Sequence, residues 1–161
     1  MSSSHAETLQ IIYVCCAAWV GLCIGSFINV VVYRLPIMLE RRRQQERAEL
    51  TFSTIEPAAP FNLSVPRSRC PSCGHQIRWF ENIPVLSYIA LGGRCSSCKT
   101  HISRRYPMVE AFTGILFAFC IWLFGVTGAG ITCSIVSSIL LAQVLIYRDL
   151  HANQPTKPVE M

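Results

Sequence analysis

Apolar residues fall in three long runs along the chain, and the first of them is the longest. Residues 11–32 are all apolar, aromatic or small except Ser26 and Asn29. A helix of this length rises about 33 Å at 1.5 Å per residue, which is enough to cross a bilayer. We therefore expect a transmembrane helix over residues 11–35, preceded by a polar extracytoplasmic segment, residues 1–10.

Small residues recur every four positions on this first helix, at Ala17, Gly21 and Gly25. Such a stripe lets a second helix approach closely, although glycine and alanine are also simply frequent in membrane helices. Asn29 lies near Arg34, where its side chain could reach the membrane interface or bond to another helix.

Two further apolar runs, residues 107–126 and 131–148, lie on either side of the turn-forming sequence GVTGAG. Each is near the short end of the range for a membrane helix, and together they predict a helical hairpin. The pattern as a whole predicts an all-α membrane protein with three transmembrane helices. A loop, residues 36–106, joins the first span to the second, and residues 149–161 form a tail.

Positive charge is concentrated in the loop. Of the 14 Lys and Arg residues, 12 fall between Arg34 and Arg105. Because cytoplasmic loops are enriched in Lys and Arg, this predicts an outside N-terminus, a cytoplasmic loop and a cytoplasmic tail. The charge suits anionic lipid better than nucleic acid, since no stacking aromatics are interleaved with the basic residues.

The loop opens with Pro36, which we expect to end the first span. The charged segment Ile37–Leu50 then indicates a short cytosolic helix or its frayed remnant, and its three consecutive arginines indicate a solvated, lipid-facing cluster, Arg41 to Arg43. Residues 51–66 contain three prolines and indicate a linker.

Two Cys-x-x-Cys knuckles follow the linker, at residues 70–73 and 95–98. This repeated pair is typical of one tetrahedral zinc site to which each knuckle contributes two sulfurs. Two disulfides or four free thiols are the alternatives, and a reducing cytoplasm disfavours the disulfides. The predicted zinc ligands are Cys70, Cys73, Cys95 and Cys98.

Other residues near the knuckles are given smaller roles. His75 and His101 could each replace a sulfur, but with four cysteines available we expect an all-sulfur site and surface histidines. The apolar segment Trp79–Leu91 is too short to cross a bilayer, so we expect it to pack on the metal module or to rest at the membrane surface. The five cysteines within the spans are expected to act as small hydrophobes.

Four motifs, which follow one another along the chain, resemble those of a known family. They are GSFINVVVYRLP from Gly25, the two knuckles, NIPVLSY from Asn82, and ISRRYPMVE from Ile102 followed by Thr113-Gly114. From about Gly21 to Gly114 the chain resembles the type IV prepilin peptidases. These are bifunctional enzymes of the bacterial inner (cytoplasmic) membrane that serve type IV pilus and type II secretion systems.

The resemblance implies two activities on one substrate. A pair of membrane aspartates cleaves the leader of type IV prepilins or type II secretion pseudopilins after a glycine, on the cytoplasmic side. The enzyme then methylates the new N-terminal residue with S-adenosylmethionine, and the cysteine-bearing loop is associated with this second half. The implied cofactors are zinc and S-adenosylmethionine, and the sequence assigns no residue to the latter.

Aspartyl chemistry needs two carboxylates that share one site. The chain contains a single aspartate, Asp149, which falls where the family has I-D-x-D-x-x-x-x-P-D. The family's second aspartate belongs to a G-x-G-D motif that this sequence does not contain. Asp149 is therefore the candidate catalytic residue, and we do not expect Glu110 to be its partner.

These observations lead to two hypotheses from different classes. In the first, the chain is the amino-terminal half of a prepilin peptidase and methyltransferase, as a natural short paralogue, a split gene product or a truncated frame. It does not cleave prepilins alone, and another chain supplies the second aspartate. In the second, it is a non-catalytic zinc-binding membrane module that binds pilus or secretion machinery through its loop and its small-residue stripe.

Overall fold

The computed structural model describes residues 2–50 and 60–152. In chain order the elements are α1 (Ser2–Leu50), a 3-10 turn (Trp79–Asn82), α2 (Leu86–Ala90), α3 (Arg105–Phe124) and α4 (Gly128–Ala152). The described part has no β-strand, only two isolated β-bridges. Most of the predicted linker and residues 153–161 of the predicted tail lie outside the described residues.

Three of the described helices, α1, α3 and α4, are long and apolar enough to cross a membrane. The most extensive contact between elements joins α1 to α3, and α4 packs against both of them. The prediction of an all-α membrane protein with three spans is confirmed.

Pro36 does not interrupt the helix, because α1 continues through it to Leu50, and the charged segment that follows is helical, which is one of the two structures expected for it. That the membrane-spanning part ends at Pro36 stays a prediction. A proline inside a helix removes one backbone hydrogen bond at a cost of about 3 kcal/mol. The segment that follows is rich in strong helix formers, and its polar side chains pair one turn apart. Arg42 Nε lies 3.3 Å from Glu46 Oε1, and Gln44 Nε2 donates to Glu40 Oε1 at 3.1 Å.

The small-residue stripe of α1 faces α3. A Cβ atom built on Gly21 would lie 2.7 Å from the carbonyl oxygen of Thr113, and one built on Gly25 would lie 2.7 Å from Glu110 Cα. From the other side, a Cβ on Gly114 would lie 2.9 Å from Leu22 Cδ2. Only glycine allows the two backbones to come this close, so the stripe is a helix-packing surface.

The helices share a small buried core beside this contact. Ile28 and Val32 of α1 and Val109 of α3 are buried, and side chains of α4 pack against them. Asn29 is also buried, and its Nδ2 donates to the carbonyl of Tyr106 at 3.1 Å. Of the two roles open to Asn29, the structure supports the bond to another helix.

The turn between α3 and α4 is shorter than the sequence GVTGAG suggests. Gly125 has a φ of 66° and ends α3, and α4 already begins at Gly128. Thr127 explains the early start, because its Oγ1 accepts a hydrogen bond from the backbone N–H of Gly130 at 3.3 Å. A Cβ on Gly130 would lie within contact distance of Ile121, so the hairpin is tightly closed here.

The loop is fastened to α1 by Arg34, which is 8% exposed. Its guanidinium donates to the carbonyls of Asn62 at 2.8 Å and Pro66 at 2.6 Å. The exposed cluster Arg41 to Arg43 is not purely solvated, because the Arg41 guanidinium lies 4.5 Å from the centre of the Phe61 ring. These contacts hold the start of the described loop against the end of the apolar part of α1.

Candidate metal centre

The first knuckle is a tight turn closed by backbone hydrogen bonds. Cys70 N donates to His75 O and Gly74 N donates to Cys70 O, each at 2.9 Å. Arg69 and Gln76 form an antiparallel bridge on either side of the turn. Gly74 has a φ of 71°, a left-handed conformation that glycine adopts without a steric penalty.

The second knuckle repeats this pattern. Cys95 N donates to Thr100 O at 2.9 Å, and Lys99 N donates to Cys95 O at 3.1 Å. Arg94 and His101 form the corresponding bridge. Lys99 occupies the position that glycine holds in the first knuckle and has a φ of 61°, which is unfavourable for a residue with a Cβ atom. The two knuckles are therefore the same structural unit used twice.

The four sulfurs converge. The Sγ atoms of Cys70 and Cys98 are 3.7 Å apart, those of Cys73 and Cys95 are 4.0 Å apart, and all four lie within 4.8 Å of one another. A tetrahedral ion with metal–sulfur bonds of about 2.3 Å requires sulfurs about 3.8 Å apart. The four predicted cysteines are thus positioned to bind one metal ion.

Local hydrogen bonds make the four thiols unequal. Thr100, through its side chain and its backbone, lowers the pKa of Cys98 to about 6. The backbone N–H groups of Cys73 and Ser72 lower the pKa of Cys70. At Cys73 the backbone N–H of His75 acts in the same direction, but burial and the neighbouring sulfurs outweigh it and raise the pKa to about 11. Crowded sulfurs resist full ionisation without a cation, which is the electrostatic behaviour expected of a thiolate metal site.

The histidines lie outside the sulfur cluster. His101 is exposed, as predicted, but His75 is only partly exposed. His75 Nε2 lies 3.3 Å from Glu81 Oε2 and 3.2 Å from Ser96 Oγ, and Glu81 Oε2 also accepts from the backbone N–H of Arg78 at 2.8 Å. Since Ser96 belongs to the second knuckle, this network links the two knuckles behind the sulfurs.

The segment between the knuckles packs partly on this module and partly faces outward. The Tyr88 hydroxyl donates to Ile102 O at 3.4 Å, and its ring lies over Gly93 next to the second knuckle. Trp79, in contrast, is 81% exposed. The part around Tyr88 therefore packs on the metal module, and contact of Trp79 with the membrane surface stays a prediction.

The two carboxylates near the membrane boundary have separate partners. Asp149 Oδ1 accepts from Arg105 Nη1 at 2.8 Å, which joins the end of α4 to the start of α3. Glu110 is buried, and its Oε2 accepts from the backbone N–H of Val85 at 2.8 Å. Val85 has a φ of 59°, so Glu110 holds a strained turn of the loop against α3.

Sequence reasoning misses three residues that build this region: Arg34, Glu81 and Arg105. In the sequence, Arg34 and Arg105 count only toward the positive charge of the loop. A signal exists for Arg34, since an arginine that directly follows an apolar span is well placed to bond to loop carbonyls. Nothing in the sequence connects Arg105 to Asp149, because their pairing depends on how α3 and α4 pack.

The fold and the sulfur cluster together define a membrane protein of several spans whose loop carries a four-cysteine metal-binding module. Residues 19–124 match the family described as the bacterial peptidase A24 N-terminal domain. This match covers more than half of the chain, so the chain belongs to that family, and the predicted resemblance is confirmed. No solved structure matches the chain.

Curated relatives agree with the family. A prepilin leader peptidase/N-methyltransferase of Stutzerimonas stutzeri is 53% identical over 114 residues, which cover 70% of this chain and 39% of the relative. A protein of the same name from Pseudomonas aeruginosa is 48% identical over 85% of this chain and 48% of the relative. Another, from Neisseria gonorrhoeae, is 41% identical over 83% of this chain and 47% of the relative. The chain spans less than half the length of these relatives.

Proposed function

We propose that this chain forms the N-terminal part of a prepilin leader peptidase/N-methyltransferase in the bacterial inner membrane. The observation that carries the proposal is a four-cysteine centre in the loop between α1 and α3, within a stretch that matches this family's N-terminal domain. In this proposal the basic loop is cytoplasmic, the N-terminus is outside, and the substrates are type IV prepilins or type II secretion pseudopilins.

In this proposal the metal is zinc, held by the sulfurs of the two knuckles. Zinc takes four thiolates in a tetrahedron, and the sulfur spacing fits that geometry. When bound, zinc would tie the two knuckles together and add folding free energy to a module with little core of its own. Among the described hydrophobic residues of this module, Cys95 alone is buried, so the module has almost no hydrophobic core. The metal therefore has a structural role, and it presents the loop beside α1 and α3.

We further propose that Asp149 is one of two aspartates needed for leader cleavage, the other belonging to a G-x-G-D motif outside the given sequence. Asp149 lies at the end of α4, and its bond to Arg105 places it next to the segment that joins the metal module to α3. Glu110 is a poor partner because its carboxylate already accepts from Val85 N.

Intact-mass spectrometry of a model prepilin tests this function. The chain is incubated with S-adenosylmethionine and either full-length or already cleaved prepilin, with and without a fragment that carries the G-x-G-D motif. We expect the chain alone to leave the leader in place. With the fragment, we expect leader loss that Asp149→Asn abolishes, and methylation of the cleaved form, carried out by the chain alone or by the combined halves.

The controls separate the two activities. Gln143→Leu is the control: it removes a polar side chain from the same helix, six residues before Asp149, and should leave cleavage unchanged. Cleavage by the chain alone that survives Asp149→Asn would contradict the aspartyl role. A lack of both cleavage and methylation in every mixture would contradict the enzyme proposal.

The second candidate is a non-catalytic membrane module that binds pilus or secretion machinery. The ion pair between Asp149 and Arg105 favours it, because a paired carboxylate can have a purely structural role. This candidate predicts that the metal-loaded chain captures an assembly protein and that prepilin mass never changes. Capture of neither a prepilin nor an assembly protein would remove it.

A further inference from the structure

A groove of about 840 Å³ lies between α1 and the first knuckle, outside the sulfur cluster. Its lining includes apolar side chains: Val30 of α1 together with Leu63 and Ile77 of the loop. It also includes three arginines: Arg34, Arg67 and Arg78. Its size is within the usual range for small-molecule sites, and its lining combines apolar and positively charged residues.

In the part of the chain that the structure describes, no carboxylate neutralises the positive charge of this groove. No aspartate or glutamate is among its described lining residues, and the carboxylate of nearby Glu81 is engaged by His75 and Arg78 N. Arg34 donates to two backbone carbonyls, which leave its charge intact. Arg67 is exposed and has no partner among residues 2–50 and 60–152. The groove therefore has the potential to attract an anion.

The position of the groove matches the membrane interface. Val30 belongs to the apolar part of α1, and Arg34 follows one turn later, where the span meets the loop. Two aromatic residues line the groove as well: Trp79 is 81% exposed and Phe80 is 45% exposed. Exposed aromatics are typical of the headgroup level of a bilayer.

We propose that this groove binds an anionic phospholipid, with the phosphate against Arg67 and Arg78 and the start of the acyl chains along Val30 and Ile77. The arginines of the lining complement an anionic headgroup and its apolar residues suit acyl chains, so one amphiphilic ligand satisfies both. A basic peptide would be repelled by the arginines, and a free phosphate would leave the apolar residues without a partner. The proposal concerns a lipid site and does not depend on the proposed enzymatic activity.

The test uses the purified chain in detergent. The substitutions Trp19→Phe and Trp122→Phe leave Trp79 as its single tryptophan. Short-chain phosphatidylglycerol, short-chain phosphatidylcholine and inorganic phosphate are titrated separately. We expect phosphatidylglycerol to shift the Trp79 emission at a concentration at least about tenfold below phosphatidylcholine, since each interfacial arginine adds favourable attraction to anionic lipid. Inorganic phosphate should give no shift.

Charge variants assign the effect to the groove. Arg67→Gln/Arg78→Gln should weaken phosphatidylglycerol binding by about tenfold or more and lower its salt dependence, while Arg67→Lys/Arg78→Lys should keep most of it. A matched variant that removes two arginines outside the groove, Arg94→Gln/Arg148→Gln, should bind within about twofold of the parent.

Equal affinity for both lipids, or equal loss in the two Gln pairs, would overturn the proposal. A response to inorganic phosphate alone at the same concentration would identify a small-anion site and overturn the lipid assignment. The metal content and the helical signal of each variant are measured, and the Lys pair supplies the comparison if the Gln pair fails to fold.

Discussion

The close contact between α1 and α3 makes the strongest quantitative prediction. Replacing Gly25 with Ala adds a Cβ atom 2.7 Å from Glu110 Cα and 3.0 Å from Thr113 Oγ1. Carbon atoms in favourable contact lie about 3.5–4.0 Å apart, so the helices must separate by roughly 1 Å. Glu110 Cα is backbone and cannot rotate away, and forced separation of a packed interface costs about 1–3 kcal/mol.

We therefore expect Gly25→Ala to lower the free energy of unfolding by about 1–3 kcal/mol. The measurement is denaturant unfolding in detergent, followed by helical circular dichroism. Gly128→Ala in α4 is the control, because a Cβ atom added at Gly128 would meet no other atom within 4 Å. The control should be neutral or slightly stabilising.

A double substitution sharpens the test. Gly21→Ala places its Cβ 2.7 Å from the Thr113 carbonyl oxygen on the same face of α3. One separation of the helices relieves both clashes, so the second substitution should cost less than the first. A Gly25→Ala variant as stable as the Gly128→Ala control would refute the close packing. Fully additive losses would refute the shared displacement.

Three further predictions follow from other contacts. Lys99→Gly should stabilise the second knuckle by up to about 1 kcal/mol, and Gly74→Ala should destabilise the first by a similar amount, because both positions require a positive φ. The chelator concentration that removes the metal from each variant should rise for Lys99→Gly and fall for Gly74→Ala. The Sγ atoms of Cys120 and Cys133 are 3.3 Å apart, so a mild oxidant should form an intramolecular disulfide between them. Peptide mapping detects this disulfide, and its absence would contradict the closed hairpin. Arg34→Gln removes charged bonds to two carbonyls and should make the adjoining loop more sensitive to limited proteolysis, while unchanged cleavage kinetics would argue against that role.

Sequence reasoning succeeds where one physical requirement dominates a segment. Apolar runs long enough for a bilayer admit few structures other than helices, which is why α1, α3 and α4 are predictable. Two Cys-x-x-Cys pairs likewise indicate that four sulfurs meet at one metal site, and the four Sγ atoms do lie within 4.8 Å of one another. In both cases the signal lies in the local pattern and does not depend on how the helices are arranged.

The predictions that fail, and the contacts that are missed, depend on context. Pro36 is a strong local signal for a helix end, but α1 continues through it because the helix formers and side-chain pairs of the segment that follows outweigh the lost hydrogen bond. The bond between Arg105 and Asp149 joins residues 44 positions apart and arises only once α3 and α4 have packed. His75 is expected at the surface because no sequence pattern links it to Glu81 and Ser96.

The metal content of the four-cysteine centre tests the account most directly. Native mass spectrometry of the full chain, purified without added metal, should find one zinc ion per chain. Cys95→Ser/Cys98→Ser should lose it, whereas Cys15→Ser/Cys16→Ser in the first span should retain it. A folded chain that carries no metal and four freely alkylated loop thiols, or one that keeps its zinc after the loss of Cys95 and Cys98, would contradict the account.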